Sequence, residues 1–191
     1  GDSGSGGEFI LSGGDTSFVG AAGGRVVIRS GYGSSSDSGD MLVGTPDAGT
    51  AGLSGFVALS TGVSTEGNSG AFYVGTGSSG SGRGGSVYVT VGSGDSGSGG
   101  DLIMTAGASS DGDVSGGVGG QVYLSGGTSA SQTGGRVFIR SGVSTAQTSG
   151  ALGLMTSASG TGGVSGYVVL SSGVSANGNS GSIYVGSGTS A

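Results

Sequence analysis

One short pattern constrains this chain more than any other: an alternating run closed by glycine at both ends, as in Gly85-Ser86-Val87-Tyr88-Val89-Thr90-Val91-Gly92. In general form it is G-x-Φ-x-Φ-x-x-G, with Φ apolar. Twelve seven-residue segments follow it, starting at Glu8, Arg25, Asp40, Phe56, Ala71, Ser86, Asp101, Gln121, Arg136, Ala151, Tyr167 and Ser182. The step from one start to the next is nearly constant, fifteen or sixteen in most cases, and that regularity belongs to a repeat protein and not to a linker. The second and fourth positions are apolar in all twelve, from Phe9/Leu11 to Ile183/Val185. Period-two alternation rich in β-branched residues predicts extended strands, and the glycine density excludes helix.

Glycine supplies 52 of 191 residues, and only 8% are charged, against roughly 25% in ordinary soluble domains. A conventional core has too few large side chains to draw on, so any fold must bury small, regular increments. The linkers are Gly/Ser/Asn/Asp clusters such as Glu66-Gly67-Asn68-Ser69-Gly70, which are turn material. A 15-residue unit with one strand is either a hairpin of a meander or one coil of a parallel β-solenoid. The linkers SGVSTEGNSG, SGVSTAQTSG and SGVSANGNSG place Val63, Val143 and Val174 at equivalent points. Such a constrained pattern is what a return wall needs, and it favours the solenoid. The expected fold is therefore all-β: a parallel β-solenoid of about twelve 15–16-residue coils, roughly 58 Å long at the inter-strand spacing.

A longer period overlies the first. Arg25 to Gly31 (RVVIRSG) recurs at a 111-residue offset as RVFIRSG from Arg136, and the stretch from Gly49 recurs from Gly160 at the same offset. Seven coils make this super-repeat. Residues 1–191 read as a single solenoid with copies over roughly 8–120 and 121–191, the second incomplete. The opening GDSGSGG recurs as Gly94 to Gly100, which reads as an excerpt from a longer array.

The residues present exclude most chemistry. Histidine, cysteine and tryptophan are absent, and the five basic residues are all arginine, at positions 25, 29, 83, 136 and 140. Without a histidine base there is no nucleophilic triad, and without lysine the glycine-rich loops are not phosphate-binding loops of the GxxxxGK[ST] type. No cofactor is expected. GSGGDLIM from Gly97 approaches a calcium-binding nonapeptide in its letters, but the period is wrong for calcium. Asp111/Asp113 are the nearest approach to a paired-carboxylate site, and a polar turn accounts for them. The net charge of −6 with dispersed arginines argues against nucleic acid. No apolar run approaches the ~20 residues of a membrane span. The chain is read as non-enzymatic.

What remains is surface. The middle position of each segment should point away from the second and fourth. It carries Ile10, Val27, Leu42, Tyr73, Tyr88, Ile103, Tyr123, Phe138, Val169 and Tyr184, with Ala58 and Gly153 the small exceptions. An apolar column of that length on a face that should meet water is a candidate lateral interface. Arg25 with Arg29, and Arg136 with Arg140, occupy first and fifth positions on the same outward face. In an in-register stack, Glu8, Arg25 and Asp40 would form an acid–base–acid ladder, whereas the second copy stacks Gln121, Arg136 and Ala151. These arginines are candidate polar contacts to a neighbour or an anionic polymer. None of Asn68, Asn177 and Asn179 lies in an N-x-[ST] sequon, so glycans are expected only as O-glycans on the Ser/Thr-rich linkers.

The G-x-Φ-x-Φ-x-x-G strands alternating with linkers of the type GSGDSGSGG resemble the Gly/Ser-rich solenoid arrays of secreted microalgal and protist proteins. That resemblance covers the whole chain and implies an extracellular or cell-surface structural role, in a filament, appendage or matrix, with no active residues. Short-coil, cysteine-free solenoids also occur among ice-binding proteins, which supplies the alternative of ice as partner. Its candidate face is the sixth position, at Thr45, Thr61, Thr76, Thr156, Ser172 and Ser187. That column is not uniform, since Ser30, Val91, Ala106 and Gly126 stand in it too.

Overall fold

The computed structural model of the chain describes Gly4 and residues 6–110 and 117–189. Among these residues there is neither helix nor strand. The apolar segments are not joined by any ladder, and the parallel β-solenoid is not what this chain forms. The physical reason lies in which positions approach each other. A solenoid brings equivalent positions of successive units into register, whereas the approaches here join the two ends of each linker, as Gly31 to Gly39 and Gly107 to Gly120. Each closed linker brings the end of one segment near the start of the next, and no ladder continues from it among the described residues.

The closure follows one rule. The glycine just before a segment meets the sixth or seventh position of the preceding segment. Main-chain bonds show it most directly: the N–H of Gly24 donates to the Gly14 carbonyl at 2.7 Å, Gly39 to Gly31 at 3.0 Å, and Gly120 to Gly107 at 2.8 Å. Gly135 to Gly127 at 2.8 Å and Gly150 to Gly142 at 3.0 Å continue the series. Where threonine holds the sixth position, its hydroxyl can take over as donor. Thr45 Oγ1 donates to the Gly55 carbonyl at 3.2 Å, Thr76 to Gly85 at 3.1 Å, and Thr156 to Gly166 at 3.2 Å. The remaining linkers meet by packing, Gly70 on Thr61, Gly100 on Val91 and Gly181 on Ser172. Some of these necks leave little room for a side chain: a Cβ on Gly135 would lie 2.8 Å from the Gly127 nitrogen, and one on Gly100 2.7 Å from Val91 Cγ1.

Two devices turn the chain inside the necks. In several 15-residue units a serine hydroxyl accepts from the N–H three positions on, as Ser64 does from Gly67 (3.0 Å), Ser79 from Gly82 (2.9 Å), Ser129 from Gln132 (3.0 Å) and Ser144 from Gln147 (2.8 Å). Side-chain acceptors of this kind imitate a backbone turn. In three longer units a main-chain turn replaces it: Ala21 N–H to Phe18 O at 3.1 Å, and Gly52 to Gly49 and Gly163 to Gly160, both at 3.3 Å. Gly20, with φ of +87°, fits the third position of a type II turn, where a side chain is disfavoured. The extra residue of the 16-residue units thus accommodates a different turn. Lengthening a loop from about 8 to about 13 residues adds only about 0.4 kcal/mol of closure entropy, so the period drifts at little cost.

The chain divides into two units, Gly1–Val89 and Thr90–Ala191. Local geometry repeats between them at the 111-residue offset. The neck Thr45–Gly55 recurs as Thr156–Gly166, Gly31–Gly39 as Gly142–Gly150, and the Gly49–Gly52 turn as Gly160–Gly163.

No described side chain is buried. The accessible surface is 18866 Å². A folded monomer of this mass would expose about 7,900 Å² and its unfolded chain about 25,400 Å², so most of the surface that a core would remove is still open to solvent. Val63, Val143 and Val174 are almost wholly exposed, and the return wall that their spacing implies is absent.

Candidate functional site: the apolar middle column

Without in-register stacking the middle positions form no shown column, and each is described within its own segment. In the Ala71 segment, Phe72 at the second position is 58% exposed and Tyr73 at the middle position 91%. The same ordering holds in the Asp101 and Ser182 segments, where Ile103 exceeds Leu102 and Tyr184 exceeds Ile183. Extended backbone turns neighbouring side chains to opposite sides, and in these segments the middle residue is the more open. Ile10, Val27, Leu42, Tyr88, Tyr123, Phe138 and Val169 are exposed likewise. The second and fourth positions, expected to form an interior, are exposed as well, though Val26 and Val137 come nearest to cover at 46%. Every large apolar side chain of the segments is thus exposed, and the middle positions are not set apart as the one open face.

Arg29 lies beside a shallow recess of about 420 Å³ at the Gly31–Gly39 neck, lined with Ile28, Ser30, Tyr32, Ser38 and Met41. The recess offers one cation, alcohol and phenol hydroxyls and apolar carbon, with no carboxylate or imidazole to move a proton. Arg25, Arg136 and Arg140 are exposed. The Glu8–Arg25–Asp40 ladder presupposes in-register stacking and loses its basis with the solenoid. Asp111 and Asp113 lie outside the described residues. Among the described residues no three acidic groups come together to hold a metal ion, and no helix is long and apolar enough to cross a membrane.

The sixth-position column has a role that its alternation does not announce. Thr45, Thr76 and Thr156 donate to neck carbonyls, Thr61 and Ser172 pack on Gly70 and Gly181, and Ser187 is exposed. The signal for it is present in the sequence, as the glycine that precedes every one of the twelve segments. No protein-family model, no curated protein and no solved structure matches the chain.

Proposed function

We propose that this is a structural repeat protein of the cell exterior, a building block of a filament, appendage or surface matrix, which associates with further copies through its apolar segments. The observation that carries this reading is the exposure of every large apolar residue of the segments together with the lack of any buried one among the described residues. Apolar surface of this extent drives association. A stable interface takes roughly 800 Å² from each partner, under a twentieth of the 18866 Å² available, so one chain can engage several neighbours. Main-chain groups along the segments, unpaired by any ladder, add edges to which another extended chain can pair. Charge opposes this weakly, with five basic and eleven acidic side chains spread over the sequence. O-glycans on the linkers would leave the segments free.

Sedimentation velocity tests the reading. The chain is expected to form large species as concentration rises, and Tyr73→Asp, Tyr88→Asp, Tyr123→Asp and Tyr184→Asp together are expected to keep it monomeric. A monomer at every concentration would refute it.

Ice is the competing partner. Three of its six candidate side chains spend their hydroxyl protons on glycine carbonyls, and two others face glycine across a neck, so the six do not present one array of like donors. Thermal hysteresis at micromolar protein that vanishes on Thr61→Lys with Thr76→Lys would reverse the ranking.

A further inference from the structure

All six tyrosines, at positions 32, 73, 88, 123, 167 and 184, are between 86% and 91% exposed. Four of them, Tyr73, Tyr88, Tyr123 and Tyr184, occupy the same middle position of their segments, while Tyr32 sits in a linker and Tyr167 at a first position. The other residues from which proteins build covalent links are missing. There is no cysteine for disulfides, no histidine, and no lysine to form aldehyde-derived links or isopeptide bonds with Gln121, Gln132 or Gln147. The three methionines oxidise to sulfoxides, which do not join chains. Phenol is the one side chain here that converts association into covalent bonding.

We propose that the middle-column tyrosines are sites of oxidative cross-linking between copies, with hydrogen peroxide as oxidant and a haem peroxidase as catalyst. The inference rests on the association reading, because like segments must meet to bring phenols of two chains together. Each phenol gives up one electron and one proton. Two tyrosyl radicals then join through ring carbons ortho to oxygen, and the two hydrogens left on those carbons return to the oxygens as the rings regain aromaticity. In sum, two tyrosines and one hydrogen peroxide give one dityrosine and two waters. The low charge density leaves no strong repulsion between approaching segments, and tyrosine, unlike a charged cross-linker, is compatible with the apolar segments in which it sits.

The test treats the full chain, at a concentration where it associates, with a haem peroxidase and hydrogen peroxide. N-acetyltyrosinamide at equal phenol concentration is the reference. Dityrosine fluorescence and peptide mass mapping are the readouts, with sedimentation run on every sample. The initial yield is expected to exceed the reference by about tenfold or more, the gain set by the effective concentration within an assembly. Cross-links should join chains and map to Tyr73, Tyr88, Tyr123 and Tyr184. The variant with those four changed to Phe keeps its apolar column, and is expected to associate normally while losing most of the product. Tyr32→Phe with Tyr167→Phe is expected to change little. A chain that associates but yields no more than the reference, or whose links fall mainly on Tyr32 and Tyr167, overturns the proposal. A chain that fails to associate overturns the reading beneath it instead.

Discussion

At the residue scale the decisive atoms are those a glycine lacks. Gly135 brings its main chain against Gly127, and the place of its missing Cβ is 2.8 Å from a backbone nitrogen that cannot swing aside. Gly135→Val is therefore expected to open that neck and leave the neighbouring Gly142–Gly150 neck closed. Amide exchange at residues 135 and 150 checks this; equal rates in variant and parent would contradict it. At Thr76 the neck depends on a hydroxyl donor, so Thr76→Val removes a bond of about 1 kcal/mol and Thr76→Ser retains it. The Gly85 carbonyl carbon shift should follow that order, moving with Val and not with Ser. A matching shift in both variants would mean that the hydroxyl does not hold the neck.

At the scale of the element, a linker such as Gly142–Gly150 is self-contained, since its neck bond and the Ser144–Gln147 turn that it encloses both lie within one loop. Removing one unit, residues 142–156, is expected to leave the Gly127–Gly135 and Thr76–Gly85 necks unchanged, visible as unmoved resonances outside the deletion. Widespread shifts would reveal contacts between distant units. Part of this level is legible in the sequence: turns from Gly/Ser clusters, and a super-repeat whose necks do recur at the 111-residue offset. The partner of each segment is not. Alternation separates Val87 from Tyr88 along the chain, but is silent about what lies beside them. The shared linker pattern around Val63, Val143 and Val174 suggests a return wall, yet its structural role belongs to the adjacent Ser64 and Ser144, which close turns within the loop. A pattern imposed by local turn chemistry and one imposed by stacking look alike when every unit repeats both.

At the scale of the whole molecule the described residues bury no apolar side chain, and the proposed association starts from that. Closing a loop of about ten residues costs roughly 2 kcal/mol, more than a single exposed hydrogen bond returns, so isolated necks are marginal and the segments must gain their stability elsewhere. In the proposed reading, association that buries apolar side chains supplies it. The proposed reading makes apolar burial and not ion pairing the driving force, so raising sodium chloride is expected to leave the assembly intact and ammonium sulfate to strengthen it. Dissolution by moderate sodium chloride would point instead to Arg25, Arg29, Arg136 and Arg140 as the contacts. The most direct test of the account follows amide hydrogen exchange of the segments across a dilution series. In dilute monomer, residues 86–91 and their counterparts should exchange nearly as fast as an unstructured chain, and become protected as copies associate. Protection that persists at the lowest concentration, or segments that stay unprotected in the assembled protein, would contradict it.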